Sequence, residues 1–289
     1  MPDNRPGPPD RKLRLIAPII IGAVVAILLV ATVLLRRPPA SSEPAPPAPV
    51  PATVSVPAPP PLLLPPPPLG RMELVRAAAD ASAAYAAGEA PPKTRNPLIG
   101  QPFMLRLPFG CNGPNAATRQ AQVSVHYDAA KKTVRLAAQP GDWKGLPILQ
   151  AGLQTGEAEA MEGFWVPRSW SYSDDCPARN HDIAASPTLP SPPSLGLVRI
   201  FEAGSSRVLR RDGRAYEFTR RVPDNDPSML SHGYRLVLEG RIAGFADGAA
   251  LKCRAETSDH RPVCIYAVEL DRLAFENAED GKTLAEWRE

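Results

Sequence analysis

The densest run of side chains able to do chemistry is SYSDDCPARNHD, residues 171–182. Asp174, Asp175, His181 and Asp182 are of the types that ligate divalent metals. Adjacent acids do not converge unless the fold brings them together, so the expectation is a solvated loop beside a cysteine, with no metal. His232 and His260 have no acid–base partner legible in the sequence. Asp271, Glu276, Glu279 and Asp280 crowd the C-terminus, but paired carboxylates cleave glycosides only at a defined separation. Acids bounding a terminal strand are expected to face water. The chain contains no GxSxG, HExxH, Walker or dinucleotide motif. No catalytic residue is therefore assigned, and no cofactor is expected.

The arginines are more suggestive. SSRVLRRDGRAYEFTRR (205–221) holds Arg207, Arg210, Arg211, Arg214, Arg220 and Arg221. A type I′ turn at Asp212-Gly213 would pair Arg211 with Arg214, Leu209 with Tyr216 and Arg207 with Phe218. Arg207, Arg211, Arg214, Tyr216 and Arg220 would then share one hairpin face. Guanidinium groups beside aromatic rings suit an anionic cell-wall, glycan or protein partner. A solvated hairpin with its rings turned inward is the competing reading.

Four cysteines, Cys111, Cys176, Cys253 and Cys264, suit two disulfides in an oxidising compartment. Cys253 and Cys264 flank a polar stretch between two strand-like runs, which predicts a hairpin stapled across its strands. By elimination Cys111 pairs with Cys176.

These groups need a scaffold, and the scaffold begins at the membrane. Residues 15–35, LIAPIIIGAVVAILLVATVLL, carry no charge and have the length of one transmembrane helix. Arg5, Arg11, Lys12 and Arg14 precede this span. Arg36 and Arg37 follow it, and the next basic residue is Arg71. The positive-inside rule puts residues 1–14 in the cytoplasm and the rest outside, periplasmic or extracellular. Residues 36–70 form a linker, of which 38–69 are about half proline. Such a chain favours polyproline II, and at about 3.1 Å per residue it could reach roughly 90–100 Å. This order of tail, span, proline-rich stalk and terminal domain, within residues 1–70, resembles TonB-type envelope proteins. The resemblance implies an inner-membrane anchor that presents a domain across the envelope. Transducers of that kind carry a polar residue such as histidine in the span, whereas this span has only Thr32. No functional residue is carried over.

Six of the 33 basic and two of the 30 acidic residues lie in residues 1–37, leaving 27 against 28 beyond. The basic balance belongs to the anchor, so no nucleic-acid partner is expected. After Gly70, RMELVRAAADASAAYAAG predicts one alanine-rich helix stopped by Gly88. Alternation then predicts strands over 102–109, 120–127, 133–139, 161–170, 195–202, 234–245 and 263–276, with shorter runs around 207–221 and 250–256. His126 falls on the solvent face of its strand. Gly240 and Gly244 mark a bulge or sharp coil, compatible with a small barrel. A second proline cluster, 186–196, suggests two exported units, an α+β one over 71–185 and a β one over 197–289. A single domain with a long loop is the alternative. The leading functional expectation is a membrane-anchored envelope protein presenting a disulfide-stapled, mainly β binding or scaffolding domain. The rival is a tethered hydrolase of cell-wall or glycan material.

Overall fold

A computed structural model describes residues 66–89, 96–115, 122–150, 158–177, 192–223 and 232–289. The expected tail, span and stalk to residue 65 lie outside these residues, as do His181, Asp182 and most of the 186–196 cluster. Among the described residues no helix is long and apolar enough to cross a membrane. In chain order the elements are α1 (Arg71–Ala86), β1 (Pro102–Phe109), β2 (Val123–Asp128), β3 (Thr133–Ala138), β4 (Gly141–Asp142), α2 (Pro147–Gln150), β5 (Ala158–Trp165), β6 (Leu195–Glu202), β7 (Tyr216–Arg221), β8 (Tyr234–Ile242), β9 (Leu251–Arg254), β10 (Val263–Asn277) and β11 (Thr283–Arg288).

Helix α1 starts where the proline run ends. Gly70 is extended, and its N–H donates to the Glu73 carboxylate at 3.0 Å, which satisfies one otherwise unpaired donor at the helix start. Gly88 ends it with φ of 71°, a left-handed turn that glycine adopts without cost. Leu74, Val75 and Ala78 are buried, while Met72 and Tyr85 stay exposed. The Tyr266 hydroxyl donates to Leu74 O at 2.9 Å and ties the helix to the sheet.

β10 organises the larger sheet, ordered β1-β8-β10-β6-β5-β4. Its first half pairs with β9 and, in parallel, with β6; its second half pairs with β8 and β11. The register with β8 slips between Leu270 and Arg272, opposite Gly240. A Cβ at Gly240 would stand 1.8 Å from Glu269 O, so only glycine lets the two backbones approach there. Cys264, Tyr266, Val268, Leu273 and Phe275 line one core with α1 and with the inner residues Val134, Leu136 and Tyr216 of a second sheet, β2-β3-β7. Ile265 and Ala267 turn to a smaller core with Trp143, Met161, Val198 and Phe245.

Both disulfides form as expected. Cys253 and Cys264 face each other in the β9–β10 register, and Cys111–Cys176 closes a separation of 65 residues. The β2–β3 hairpin and the outward His126 also match the alternation.

Three expectations change. The 186–196 cluster does not separate two units. β1 pairs with β8, β5 with β6 and β3 with β7, so both sheets draw strands from each side of it, and Leu63–Glu289 forms one unit. No sheet among the described residues closes into a barrel. The glycine signal is a local bulge, and β1 and β4 remain edges. The strand expected over 161–170 ends at Trp165, because Pro167 cannot continue the ladder. Two strands have no counterpart among the expected runs: the two-residue β4, and β11, which places Trp287 edge-on to Tyr216 and Phe275.

Candidate functional site

The arginine segment does not form the expected hairpin. The turn is present: Asp212 and Gly213 have φ of 50° and 79°, and Arg214 N donates to Arg211 O at 3.0 Å. Its first arm is missing. Leu209 has φ of 63°, outside strand geometry, and its carbonyl accepts from the Tyr216 hydroxyl. Residues 205–215 instead lie against β5. The Glu162 carboxylate accepts from the N–H groups of Arg211 and Asp212 at 2.6–3.0 Å. Glu159 meets Arg207 at 2.5 Å and Arg210 at 3.0 Å. The hydrogen bond from Arg210, then the charges of both arginines, hold the Glu159 carboxyl below its usual range.

The five candidate residues therefore separate. Arg207 is committed to Glu159. Arg211 lies 4.5 Å over the Tyr216 ring, and its Nη2 donates to Ala215 O at 2.6 Å. Tyr216 is buried in the core, and burial pushes its hydroxyl up to about 12. Arg214 and Arg220 remain exposed, with Arg221 beside them. The alternation holds only from residue 216 on: Tyr216, Phe218 and Arg220 sit opposite Ala138, Leu136 and Val134.

The polar run after β5 is organised by a residue that sequence reading passed over. Arg71 is 2% exposed. Its Nε donates to Ser171 O at 2.8 Å and its Nη1 to Arg106 O at 3.2 Å; its Nη2 donates to Pro167 O and to Arg168 O at 2.5 and 3.1 Å. One guanidinium thus binds the 167–171 loop to β1 at the first residue after the proline-rich segment. At the other end of the loop, Cys176 is bonded to Cys111. Between them Asp174 is half-buried, with one buried carboxylate oxygen that has no hydrogen-bond partner. Burial raises its carboxyl, against the opposing pull of Arg71, Arg106 and Arg235. Asp175 pairs with Arg235, and Glu276, expected to face water, is buried and pairs with Arg106 at 3.3 Å. These acids are held by arginines and do not form a converging acid–base pair. Among the described residues no three His, Cys, Asp or Glu side chains are grouped to hold a metal.

This clamped loop raises two aromatic rings into solvent. Trp170 is 54% and Tyr172 53% exposed, on either side of Ser171, whose carbonyl Arg71 grips. A signal was present in RSWSYSDDC: two rings alternating with serines just before a disulfide cysteine. The expected strand over 161–170 takes in Trp170 and the polar run 171–182 takes in Tyr172, so the two rings do not stand out as a pair.

The remaining histidines are surface groups. His232 lies 3.1 Å from Glu279, and His260 shares a hydrogen bond with Thr257 at 2.6 Å. A cleft between α1 and the β9–β10 disulfide, lined by Ser82, Ser169, Ser194 and Arg261, has about 10 Å³ of free volume. That is room for about one water molecule. Comparison of the chain with family models, curated proteins and solved structures finds no match in any of the three.

Proposed function

We propose that the chain is a single-pass, inner-membrane-anchored envelope protein whose outer domain is a binding module. In this reading the uncharged 15–35 span holds it in the membrane and the proline-rich stalk sets the domain away from the surface. The domain engages an anionic cell-wall, glycan or protein partner. The observation that carries the reading is the pair Trp170 and Tyr172, displayed on a loop pinned at one end by Arg71 and at the other by Cys111–Cys176. Large rings held in place lose little conformational freedom on binding, and Trp, Tyr and Arg dominate interface hot spots. Two disulfides accord with an oxidising compartment.

Two measurements test this. A reporter active only outside the cytoplasm should work when fused after Arg71 and fail when fused before Leu15; the reverse pattern overturns the orientation. A photo-crosslinking amino acid at position 173, in intact cells, should capture a partner. Trp170→Ala and Tyr172→Ala should each weaken that capture by the equivalent of about 2 kcal/mol, roughly 30-fold in affinity. Both rings are exposed, so stability should move by less than about 0.5 kcal/mol. Capture that is unchanged in both variants, with stability intact, removes the aromatic pair from function.

A further inference from the structure

The second candidate surface is the outer edge of β7. Val222 N donates to Lys132 O at 2.8 Å, and the register continues Arg220–Val134, Phe218–Leu136, Tyr216–Ala138. In an antiparallel pair, alternate residues turn their N–H and C=O groups toward the partner strand. Residues 216, 218, 220 and 222 therefore face β3. Ala215, Glu217, Thr219 and Arg221 point the other way. Of that outward row, Ala215 O is taken by Arg211 Nη2. From Glu217 onward the row is open among the described residues: β7 ends the β2-β3-β7 order, and Glu217, Thr219, Arg220 and Arg221 are exposed. The opposite edge of this sheet is handled differently. The Asn115 side chain bonds to both Tyr127 N and Tyr127 O at 3.0 Å, and its backbone N–H donates to Val125 O, which covers β2.

The charge along the open edge has one sign. Glu217 is neutralised by Arg135 at 2.5 Å. Arg214 stands before the strand, and Arg220 and Arg221 close it, one on each face. No described acid is paired with any of the three. We propose that β7 accepts an extended, acidic segment of a partner protein as an added strand. Main-chain hydrogen bonds at Glu217, Thr219 and Arg221 supply the docking. Carboxylates set against Arg220 and Arg221 fix register and choice of partner, and an apolar side chain covers half-exposed Phe218. This surface does not involve Trp170 or Tyr172, so it stands or falls apart from the function proposed above.

The test uses the full chain in detergent and two synthetic octapeptides of Thr and Val. One carries two adjacent glutamates and the other two adjacent lysines. Hydrogen exchange of residues 216–221 is the readout. The glutamate peptide should slow exchange at least tenfold at saturation, and less at high salt, because exposed charges are screened over about 8–10 Å at physiological ionic strength. The lysine peptide should not slow it. Arg220→Glu with Arg221→Glu should reverse the preference, a result misfolding cannot mimic. Thr219→Pro removes an outward N–H and leaves the β3 ladder whole. It should abolish the effect of the glutamate peptide while residues 133–138 keep their protection. Equal action of both peptides, no slowing by either, or a Thr219→Pro protein with its ladder intact that still binds would each overturn the proposal.

Discussion

Replacing Arg71 with alanine is expected to destabilise the β domain by about 3–5 kcal/mol and to loosen the 167–171 loop first. The guanidinium donates to four backbone carbonyls and is nearly inaccessible to solvent. A buried acceptor stripped of its donor costs about 1–3 kcal/mol, and water entering the gap recovers part of that. Burial lowers the pKa of Arg71 against the pull of the nearby Asp174 charge; among the described residues no carboxylate bonds to it directly, and its hydrogen bonds go to the set of carbonyl dipoles. The geometry also makes lysine a poor substitute. An ammonium is a point charge on a flexible stem, and it cannot reproduce a planar fork that reaches Pro167, Ser171 and Arg106 together. Arg71→Lys should lose about 2 kcal/mol and leave the sheet folded. The measurement is urea unfolding of both variants, with limited proteolysis of the native state. Alanine should show early cleavage within 167–172, and partner capture from position 173 should fall in the lysine variant despite a folded core. A change below about 0.5 kcal/mol would class Arg71 with ordinary surface residues and would remove the clamp on which the binding reading rests.

Why Arg71 escaped sequence reading, while so much around it did not, follows from the range of the interactions. Strand alternation is local, so β1, β2, β3, β6 and β10 were legible from side-chain type within eight or so residues. Gly240 was legible because a glycine inside an alternating run needs a backbone explanation, and Glu269 O supplies it. The disulfides followed from count and spacing. Arg71 is different. Its partners lie 35 to 100 residues away and are carbonyls, which every residue carries. The arginine hairpin failed for a related reason. Asp212-Gly213 is a sound local turn, but Glu159 and Glu162, about 50 residues upstream, draw the first arm onto β5. The long-range acids override the two-residue turn signal. The apparent two-unit division failed because proline clusters mark where a chain leaves regular structure; they do not show which strands later pair. Trp170 and Tyr172 looked like the end of a strand and part of a polar loop. In the fold both rings stand exposed, on either side of the Ser171 carbonyl that Arg71 holds.

Removing the Cys111–Cys176 bond should cost more than removing Cys253–Cys264, and only the first should impair the aromatic loop. In the chain-entropy account a closed loop of 65 residues contributes about 4 kcal/mol and one of 11 residues about 3 kcal/mol. Cys264 is buried in the main core, so alanine there adds a small cavity term that narrows the difference. The structural consequences diverge more than the energies. Cys253 and Cys264 sit opposite each other in a ladder whose register is also held by Val263–Arg254, Ile265–Lys252 and Tyr266–Leu251. Without the bond, those strands retain their partners. Cys176 belongs to no strand. Beyond the disulfide, its segment is held by the Arg235 contacts to Asp174 O and Asp175, and by Arg168 to Asp175 O at 3.4 Å. Cys111→Ala with Cys176→Ala should therefore free residues 172–177, expose them to protease and lower capture at position 173 even where the domain remains folded. Cys253→Ala with Cys264→Ala should lower the urea midpoint and leave capture per folded molecule unchanged. Equal capture by the two double variants would mean that Arg71 alone holds the rings in place. A loss below about 1 kcal/mol for the 65-residue loop would mean that the unfolded chain is already constrained there, and that the bond serves to position the loop rather than to stabilise the fold.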